Sequence, residues 1–113
     1  MAVYVDDVRN RYGRMFMCHM WADSMDELLA MADRIGVHHK WLQRPPKASW
    51  VHFDICYAKK KKAIAAGAIL TDRFEALAFV SRLNGNAVML ANIAKLRRTR
   101  GLPSNGILTG VRL

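Results

Sequence analysis

The chain has 113 residues, of which 52% are hydrophobic and 24% are charged, and its formal net charge is +9. This composition is typical of one soluble globular domain and excludes an intrinsically disordered chain. No stretch approaches the ~20 consecutive apolar residues of a transmembrane helix, and the first residues lack a signal-peptide pattern. Two cysteines without a metal-binding spacing predict reduced thiols, so we expect a cytoplasmic protein without a membrane partner.

The strands and helices are predicted from hydrophobic periodicity and from turn and cap residues. The strands lie at residues 3–5, 15–22, 50–54 and 68–71, with a further brief strand at 40–43. The first helix begins at the capping box Ser24–Glu27 and ends at Gly36, which suits a left-handed C-cap. Three more helices are predicted at residues 57–66, 72–83 and 87–100.

This order of elements predicts the α/β class. We expect a small mixed sheet of about four strands with three to four packed helices. Residues 1–100 form a single domain, in which residues 72–100 are a helical extension. Residues 101–113 are rich in glycine and are predicted to be a flexible C-terminal tail.

The positive charge is concentrated in the second half of the chain. Residues 1–56 contain seven basic and seven acidic residues, whereas residues 57–113 contain eleven basic and two acidic residues. A concentrated positive field favours anionic partners, so a nucleotide or a nucleic acid is the predicted partner.

Two of the predicted strands carry ionisable side chains among apolar ones. His19 lies within the strand at residues 15–22, and Asp23 follows that strand directly. His52 and Asp54 are two residues apart, so strand geometry directs them to the same face. Burying such groups without a partner is costly, so we expect them to pair or to line a site.

Five of these polar residues are predicted to meet at one end of the sheet: Asp6, His19, Asp23, His52 and Asp54. Imidazoles with carboxylates suit a general acid–base pair, a site for an anionic substrate, or a divalent metal ion as a cofactor. The alternative is structural, with Asp23 and Asp54 as helix caps and His19 bonded to a backbone carbonyl. No established metal motif such as HExxH is present, which leaves the cofactor open.

We assign catalytic roles to His19, His52 and Asp54. The predicted ligand-binding residues are Asp6, Arg14, Asp23, Lys59, Lys60 and Trp41. The two lysines belong to the run 59–62 in the first turns of a helix, where cations oppose the helix dipole. Because this placement does not stabilise the helix, it favours a role in phosphate contact. Trp41 flanks the Pro45–Pro46 loop and is able to stack on a base.

Several blocks of this sequence occur in a fixed order, namely Val3-Tyr4-Val5-Asp6-Asp7, Cys18-His19-Met20, Asp26-Glu27-Leu28 and His52-Phe53-Asp54-Ile55. In these blocks the chain resembles, over about residues 3–71, a bacterial and phage family known as domain of unknown function 4031. The family has no assigned activity, so the resemblance implies a site but no reaction. Its members usually have tyrosine where this chain has Phe53, which would remove a hydroxyl beside the site.

Two functions are therefore expected. The first is a small basic protein, of phage type by its resemblance, that binds a phosphate-bearing ligand, either without turnover or with phosphoester chemistry at the His/Asp site. The alternative is a phage accessory protein that binds a host or phage protein without catalysis, with Trp41 and Trp50 as anchors. The sequence lacks glycine-rich phosphate loops and a GxSxG elbow, which disfavours an ATPase, a dinucleotide oxidoreductase or a serine hydrolase.

Overall fold

The computed structural model describes residues 2–108, which form a five-stranded mixed sheet and four α-helices. In chain order the elements are β1 (Val3–Val5), β2 (Asn10–Tyr12), β3 (Met15–Ala22), α1 (Met25–Ile35), a 3-10 turn (His39–Trp41), β4 (Phe53–Cys56), α2 (Tyr57–Ala65), β5 (Ile69–Leu70), α3 (Glu75–Leu83) and α4 (Ala87–Thr99). The predicted α/β class is confirmed.

Strand β3 organises the sheet because it pairs with three other strands. Met20 is paired with Val5 of β1 and with Phe53 of β4, so β1 and β4 lie on opposite edges of β3. Strand β2 pairs with the first residues of β3, on the same edge as β1. Strand β5 runs parallel to β1 and makes the sheet mixed. The eight residues of β3 therefore hold together all the strands that surround the polar site.

One face of the sheet packs against α1 and α2 to form the main core. The residues buried there are Val5, Cys18, Met20, Phe53 and Ile55 from the strands, with Leu28, Ala32, Ile35 and Ala63 from the helices. Alternation along β3 sends His19 and Trp21 to the opposite face, where the ring of Phe79 from α3 lies 6.2 Å from that of Trp21. This opposite face carries the polar site.

The first helix forms as its capping residues predict. The Ser24 hydroxyl accepts from the backbone N–H of Glu27 and donates to the Glu27 carboxylate, and Gly36 closes the helix at φ +78°. The free backbone groups at both ends of α1 are thus paired within the local sequence. Its apolar residues pack against the sheet.

Two local predictions differ from the structure. No strand is predicted at residues 10–12, but they form β2, which is exposed on both faces and so has no apolar alternation. Residues 40–43 were predicted as a strand, but His39–Trp41 forms a 3-10 turn and only Gln43 makes an isolated bridge, to His52.

The chain returns to the sheet after α4. Leu108 donates its N–H to Leu70 of β5, and Asp72 donates its N–H to Gly106. Residues 101–108 are thus held against the sheet edge, and residues 109–113 of the predicted tail lie outside the described residues. Within residues 2–108, no helix has both the length and the apolar character needed to span a membrane.

Candidate functional site

The site is built on a cross-strand pair at the middle of the sheet. His19 of β3 lies directly opposite Asp54 of β4, and residues in register on an antiparallel pair share a face. His52 comes two residues before Asp54 and joins the same face, as its spacing predicted. The Oδ1 atom of Asp54 lies 3.5 Å from Nε2 of His52 and 3.9 Å from Nε2 of His19.

Asp6 fixes the orientation of His19 from behind. It follows β1, donates its N–H to the His19 carbonyl, and is completely buried. One carboxylate oxygen of Asp6 accepts from the backbone N–H of His19 at 3.0 Å, and the other lies 2.6 Å from Nδ1 of the His19 ring. Because a carboxylate accepts, Nδ1 carries the proton, and Nε2 of His19 is directed at Asp54.

The second histidine is held in an equivalent way. Nδ1 of His52 donates to the Trp50 carbonyl at 3.1 Å, so Nε2 of His52 also faces Asp54. The Trp50 indole stacks on the His52 ring with the ring centroids 4.3 Å apart. Gln43 donates its side-chain N–H to Oδ2 of Asp54 and leaves Oδ1 to the two histidines. His19, His52 and Asp54 are thus each held by a hydrogen bond on their outer side, which fixes the atoms that face the site.

Charge is shared across the site. The hydrogen bond to Asp6 raises the pKa of His19, although partial burial opposes this shift. The contact with His52 lowers the pKa of Asp54 despite partial burial, and the hydrogen bond from Gln43 acts in the same direction. The carboxylates of Asp6 and Asp54 thus lie on either side of the His19 ring, an arrangement that suits a cation.

The inward-facing atoms have the arrangement of a metal-ligand set. His19, His52 and Asp54 each offer one ligand atom, and these atoms all lie within 4.8 Å of one another. A tetrahedral ion with ~2.0–2.1 Å bonds has ligand atoms roughly 3.3 Å apart, so small inward rotations would close the set. Histidine ligands commonly donate their outer N–H to a carboxylate or a backbone carbonyl, as His19 and His52 do here.

Other predicted site residues lie elsewhere. Asp23 accepts from the Tyr4 hydroxyl and the Ala2 N–H, so it ties the start of the described chain to the end of β3. Lys59 donates to the Ile35 carbonyl and closes the C-terminus of α1. Neither residue belongs to the His/Asp cluster.

The remaining predicted ligand residues are also separate from the cluster. Lys60 is buried, with its ammonium 3.6 Å from the Asp7 carboxylate. Arg14 is exposed at the turn between β2 and β3, and Trp41 is 61% exposed beneath the Lys40 ammonium. Of the nine residues assigned from sequence, Asp6, His19, His52 and Asp54 come together.

Two residues of this site were not expected from the sequence: Gln43, through its side chain, and Trp50, through its backbone carbonyl. Gln43 reaches Asp54 because it bridges to His52 across the loop that contains Pro45–Pro46. Besides the blocks quoted above, the resemblance to the family also includes Trp41 and Gln43, which was the only signal for Gln43. Phe53 lies on the buried core face, so a tyrosine hydroxyl there would point away from the site, contrary to the expectation.

Comparison with known proteins gives one result. Neither the curated proteins nor the solved structures contain a match to this chain. A family model described as "Protein of unknown function (DUF4031)" matches residues 3–83, which include every residue of the His/Asp cluster and extend through α3. Because this match covers most of the sequence, the chain belongs to the DUF4031 family.

Proposed function

We propose that this protein binds a divalent transition-metal ion through His19, His52 and Asp54 and uses it to hydrolyse a phosphoester of a nucleotide or nucleic acid. The observation that carries the proposal is the convergence of two imidazole nitrogens and one carboxylate oxygen within 4.8 Å. The outer N–H of each imidazole is already engaged, so both free nitrogens are oriented inward.

The donor set favours particular metals. Two imidazoles and one carboxylate suit Zn²⁺, Mn²⁺ or Fe²⁺, whereas Mg²⁺ and Ca²⁺ prefer sets made of oxygen alone. Three protein ligands leave coordination positions for water and for substrate, as in catalytic zinc sites. The Asp54 side chain is 40% exposed, so solvent reaches these positions.

The bound ion would supply a Lewis acid and an activated water. In hydrolysis the water oxygen would form a bond to phosphorus as the bond from phosphorus to the ester oxygen breaks, and the proton lost by the water would pass to the leaving alcohol. Asp6 and the Trp50 carbonyl hold the histidines in place for this reaction and do not touch the substrate. His19 and His52 then serve as metal ligands instead of the acid–base pair expected from sequence.

Charge supports an anionic substrate. The net charge of +9 attracts anions at long range, and a bound ion would offset the carboxylates at the site itself. Both cysteines are free thiols, which supports a reducing compartment such as the cytoplasm. Cys18 is no competing nucleophile because it is buried on the opposite face of the sheet, and burial raises its pKa to about 12.

Metal binding is tested on chelator-treated protein by calorimetric titration with Zn²⁺ and Mn²⁺. We expect one ion per chain, and we expect Asp54→Asn or His52→Gln to weaken binding by at least roughly 100-fold. The matched controls are Asp33→Asn and His39→Gln, which remove an exposed His–Asp pair with a 2.7 Å contact elsewhere. Equal loss of affinity in the controls, or none in the site variants, would contradict the metal site.

Hydrolysis is tested with bis(p-nitrophenyl) phosphate and with a dinucleotide as phosphodiester probes. Turnover should require the added ion, and Asp54→Asn should abolish it while Asp33→Asn retains it. Stoichiometric metal binding without turnover of either probe would contradict the phosphoester part of the proposal and leave the metal site intact.

A further inference from the structure

A solvent-exposed hairpin extends the sheet beyond the metal-ligand set. We call residues 9–16 the arginine hairpin; it comprises β2, the turn at Gly13 and the first two residues of β3. Every residue from Arg9 to Phe16 is exposed. The hairpin is therefore a surface element whose side chains do not stabilise the core.

The hairpin carries positive charge that no carboxylate neutralises. Arg9, Arg11 and Arg14 form no ion pair with any residue in the described range 2–108. The sequence holds no acidic residue between Asp7 and Asp23. Lys60 and Arg97 pair with carboxylates, whereas Lys47, Lys95 and Arg98 are exposed and have no ion pair within residues 2–108. Between Asp7 and Asp23, all of the unpaired positive charge of Lys and Arg lies on the hairpin.

Exposed rings lie between the arginines. Tyr12 is 70% exposed and Phe16 is 50% exposed, and the Arg9 guanidinium lies 5.8 Å from the centroid of the Phe16 ring. Exposing aromatic rings gains nothing for folding. Alternating cations and rings on an exposed β-ribbon suit phosphates and unstacked bases, which single-stranded nucleic acid presents together.

The Tyr12 side of the hairpin shares a sheet face with the metal-ligand set, whereas Phe16 and its partner Arg11 lie on the opposite face. Tyr12 pairs with Met15, and Met15 lies on the same face of β3 as His19 because they are four residues apart. At ~3.3 Å per residue, that separation is about 13 Å along the strand. A nucleic-acid strand stacked on Tyr12 thus has its next phosphodiester groups directed along β3 toward Asp54.

We infer that the arginine hairpin binds single-stranded nucleic acid and delivers a phosphodiester to the metal-ligand set. This inference rests on the proposed function for its chemistry and makes the substrate a polynucleotide instead of a free nucleotide. A duplex offers phosphates but keeps its bases stacked, so it leaves the Tyr12 ring without a base to stack on. An acidic protein surface likewise provides charge without planar bases.

Binding is measured by fluorescence anisotropy with a labelled oligothymidylate of about 20 nucleotides, in excess chelator so that the metal plays no part. The test variant is the triple substitution Arg9→Gln, Arg11→Gln and Arg14→Gln. The matched control removes three exposed cations elsewhere by Lys47→Gln, Lys95→Gln and Arg98→Gln. Thermal unfolding of each variant verifies that the fold is retained.

We expect wild-type affinity to fall linearly with the logarithm of salt, and the hairpin triple variant to lower that slope by about 2. The control variant should bind within a factor of about 2 of wild type. Equal weakening in both triple variants would overturn the inference, because it would reflect net charge alone.

The rings provide an independent readout. Tyr12→Leu should weaken binding by roughly 5- to 150-fold, whereas Tyr12→Phe, which retains the ring, should bind as wild type does. A duplex of the same length should compete less well than the single strand, and a mononucleotide should not compete. Tighter binding of the duplex, or wild-type affinity in Tyr12→Leu, would overturn the inference.

Asp54→Asn separates this inference from the proposed function. It should bind the oligonucleotide normally but fail to cleave it in the presence of Zn²⁺ or Mn²⁺. If the hairpin variants lose binding while the wild type binds no metal, the proposed hydrolysis fails and binding by the hairpin stands.

Discussion

The Asp6 carboxylate has no solvent-exposed surface, yet its two oxygens accept hydrogen bonds from the backbone and the ring of His19. A buried charge without a partner is strongly destabilising, so Asp6 and His19 must be considered as one unit. This unit determines which nitrogen of His19 faces the site. Asp6 therefore affects any chemistry at the site without touching a ligand.

Removing the charge of Asp6 should change His19 directly. In Asp6→Asn the amide no longer stabilises the imidazolium, so the pKa of His19 should fall, because burial then acts unopposed by its main partner. Titration of the histidine ring resonances by NMR measures this change. Asp33→Asn, which alters the pair with His39, serves as the control and should leave His19 unchanged. An unaltered His19 pKa in Asp6→Asn would show that the Asp6 hydrogen bond has no effect on the ring.

The pKa shifts of His19 and Asp54 predict how the free energy of unfolding depends on pH in the metal-free protein. The pKa of His19 is raised in the folded state, so its stabilising contribution is complete below the unfolded value of about 6.5 and disappears as pH rises through the folded value. The pKa of Asp54 is lowered, so its contribution is present above about 3.9 and is lost as pH falls through the folded value.

These two contributions coincide between about pH 4 and 6.5. Urea unfolding across this range should show the stability advantage of wild type over His19→Gln declining above about pH 6.5. An advantage that grew with pH would contradict the assigned protonation of His19.

The sequence predicts that His19, His52 and Asp54 lie on the face of the sheet opposite the main core, because each lies in a predicted strand with regular alternation. The two-residue spacing of His52 and Asp54 places them on one face of any extended segment, and alternation in β3 gives the face of His19. Gln43 and Trp50 could not be assigned to the site, because their positions depend on the path of the loop between them. No periodic rule determines that path.

At the scale of elements, α3 and α4 are joined by a buried ionic cluster. The Arg97 guanidinium of α4 donates to the Asp72 carboxylate, at 2.8 and 3.1 Å, and to the Glu75 carboxylate, at 2.8 Å. It also donates to the Ser104 carbonyl. Arg97 thus holds the two helices and the returning C-terminal segment together, although the sequence presents it as one cation in a basic run.

Removing Arg97 should therefore destabilise the fold. Arg97→Gln leaves Asp72 buried without its ionic partner and takes from Glu75 one of its two, which should cost about 3–5 kcal/mol in the free energy of unfolding. Arg98→Gln, at the exposed neighbouring position, should change it by no more than about 0.5 kcal/mol. Urea denaturation measures both variants, and similar values for the two would show that the cluster contributes little.

Helix α1 and strand β2 differ in how well their own sequences predict them. Helix α1 was predicted closely because its capping box and Gly36 satisfy both ends within the local sequence. Strand β2 was missed because Asn10–Tyr12 is exposed on both faces, so burial leaves no alternation to detect. Its pairing with β3 depends instead on the turn at Gly13, which adopts φ +59°.

At the scale of the whole molecule, three separate segments contribute to one small polar site. Asp6 comes from the end of β1, His19 from β3, and His52 and Asp54 from the segment around β4. A ligand that bridges these segments binds the folded state alone. Its binding free energy is therefore added to the stability of the entire fold.

A bound metal ion should consequently stabilise the protein. At a free concentration 100 times its dissociation constant, Zn²⁺ should raise the free energy of unfolding by about 2.7 kcal/mol. Thermal denaturation of chelator-treated protein, with and without the ion, measures this effect. Asp54→Asn should gain no more than about 0.4 kcal/mol, while Asp33→Asn should match wild type, and an equal increase in both would indicate binding outside the site.

The parallel contact between the Trp50 indole and the His52 ring has an optical consequence. An ion bound at Nε2 of His52 would withdraw electron density from the ring on which the indole is stacked. Ultraviolet-excited emission of Trp50 therefore reports the state of the ligand beneath it, so occupancy can be followed in the unlabelled protein, with Trp50→Phe giving the background from the other two tryptophans.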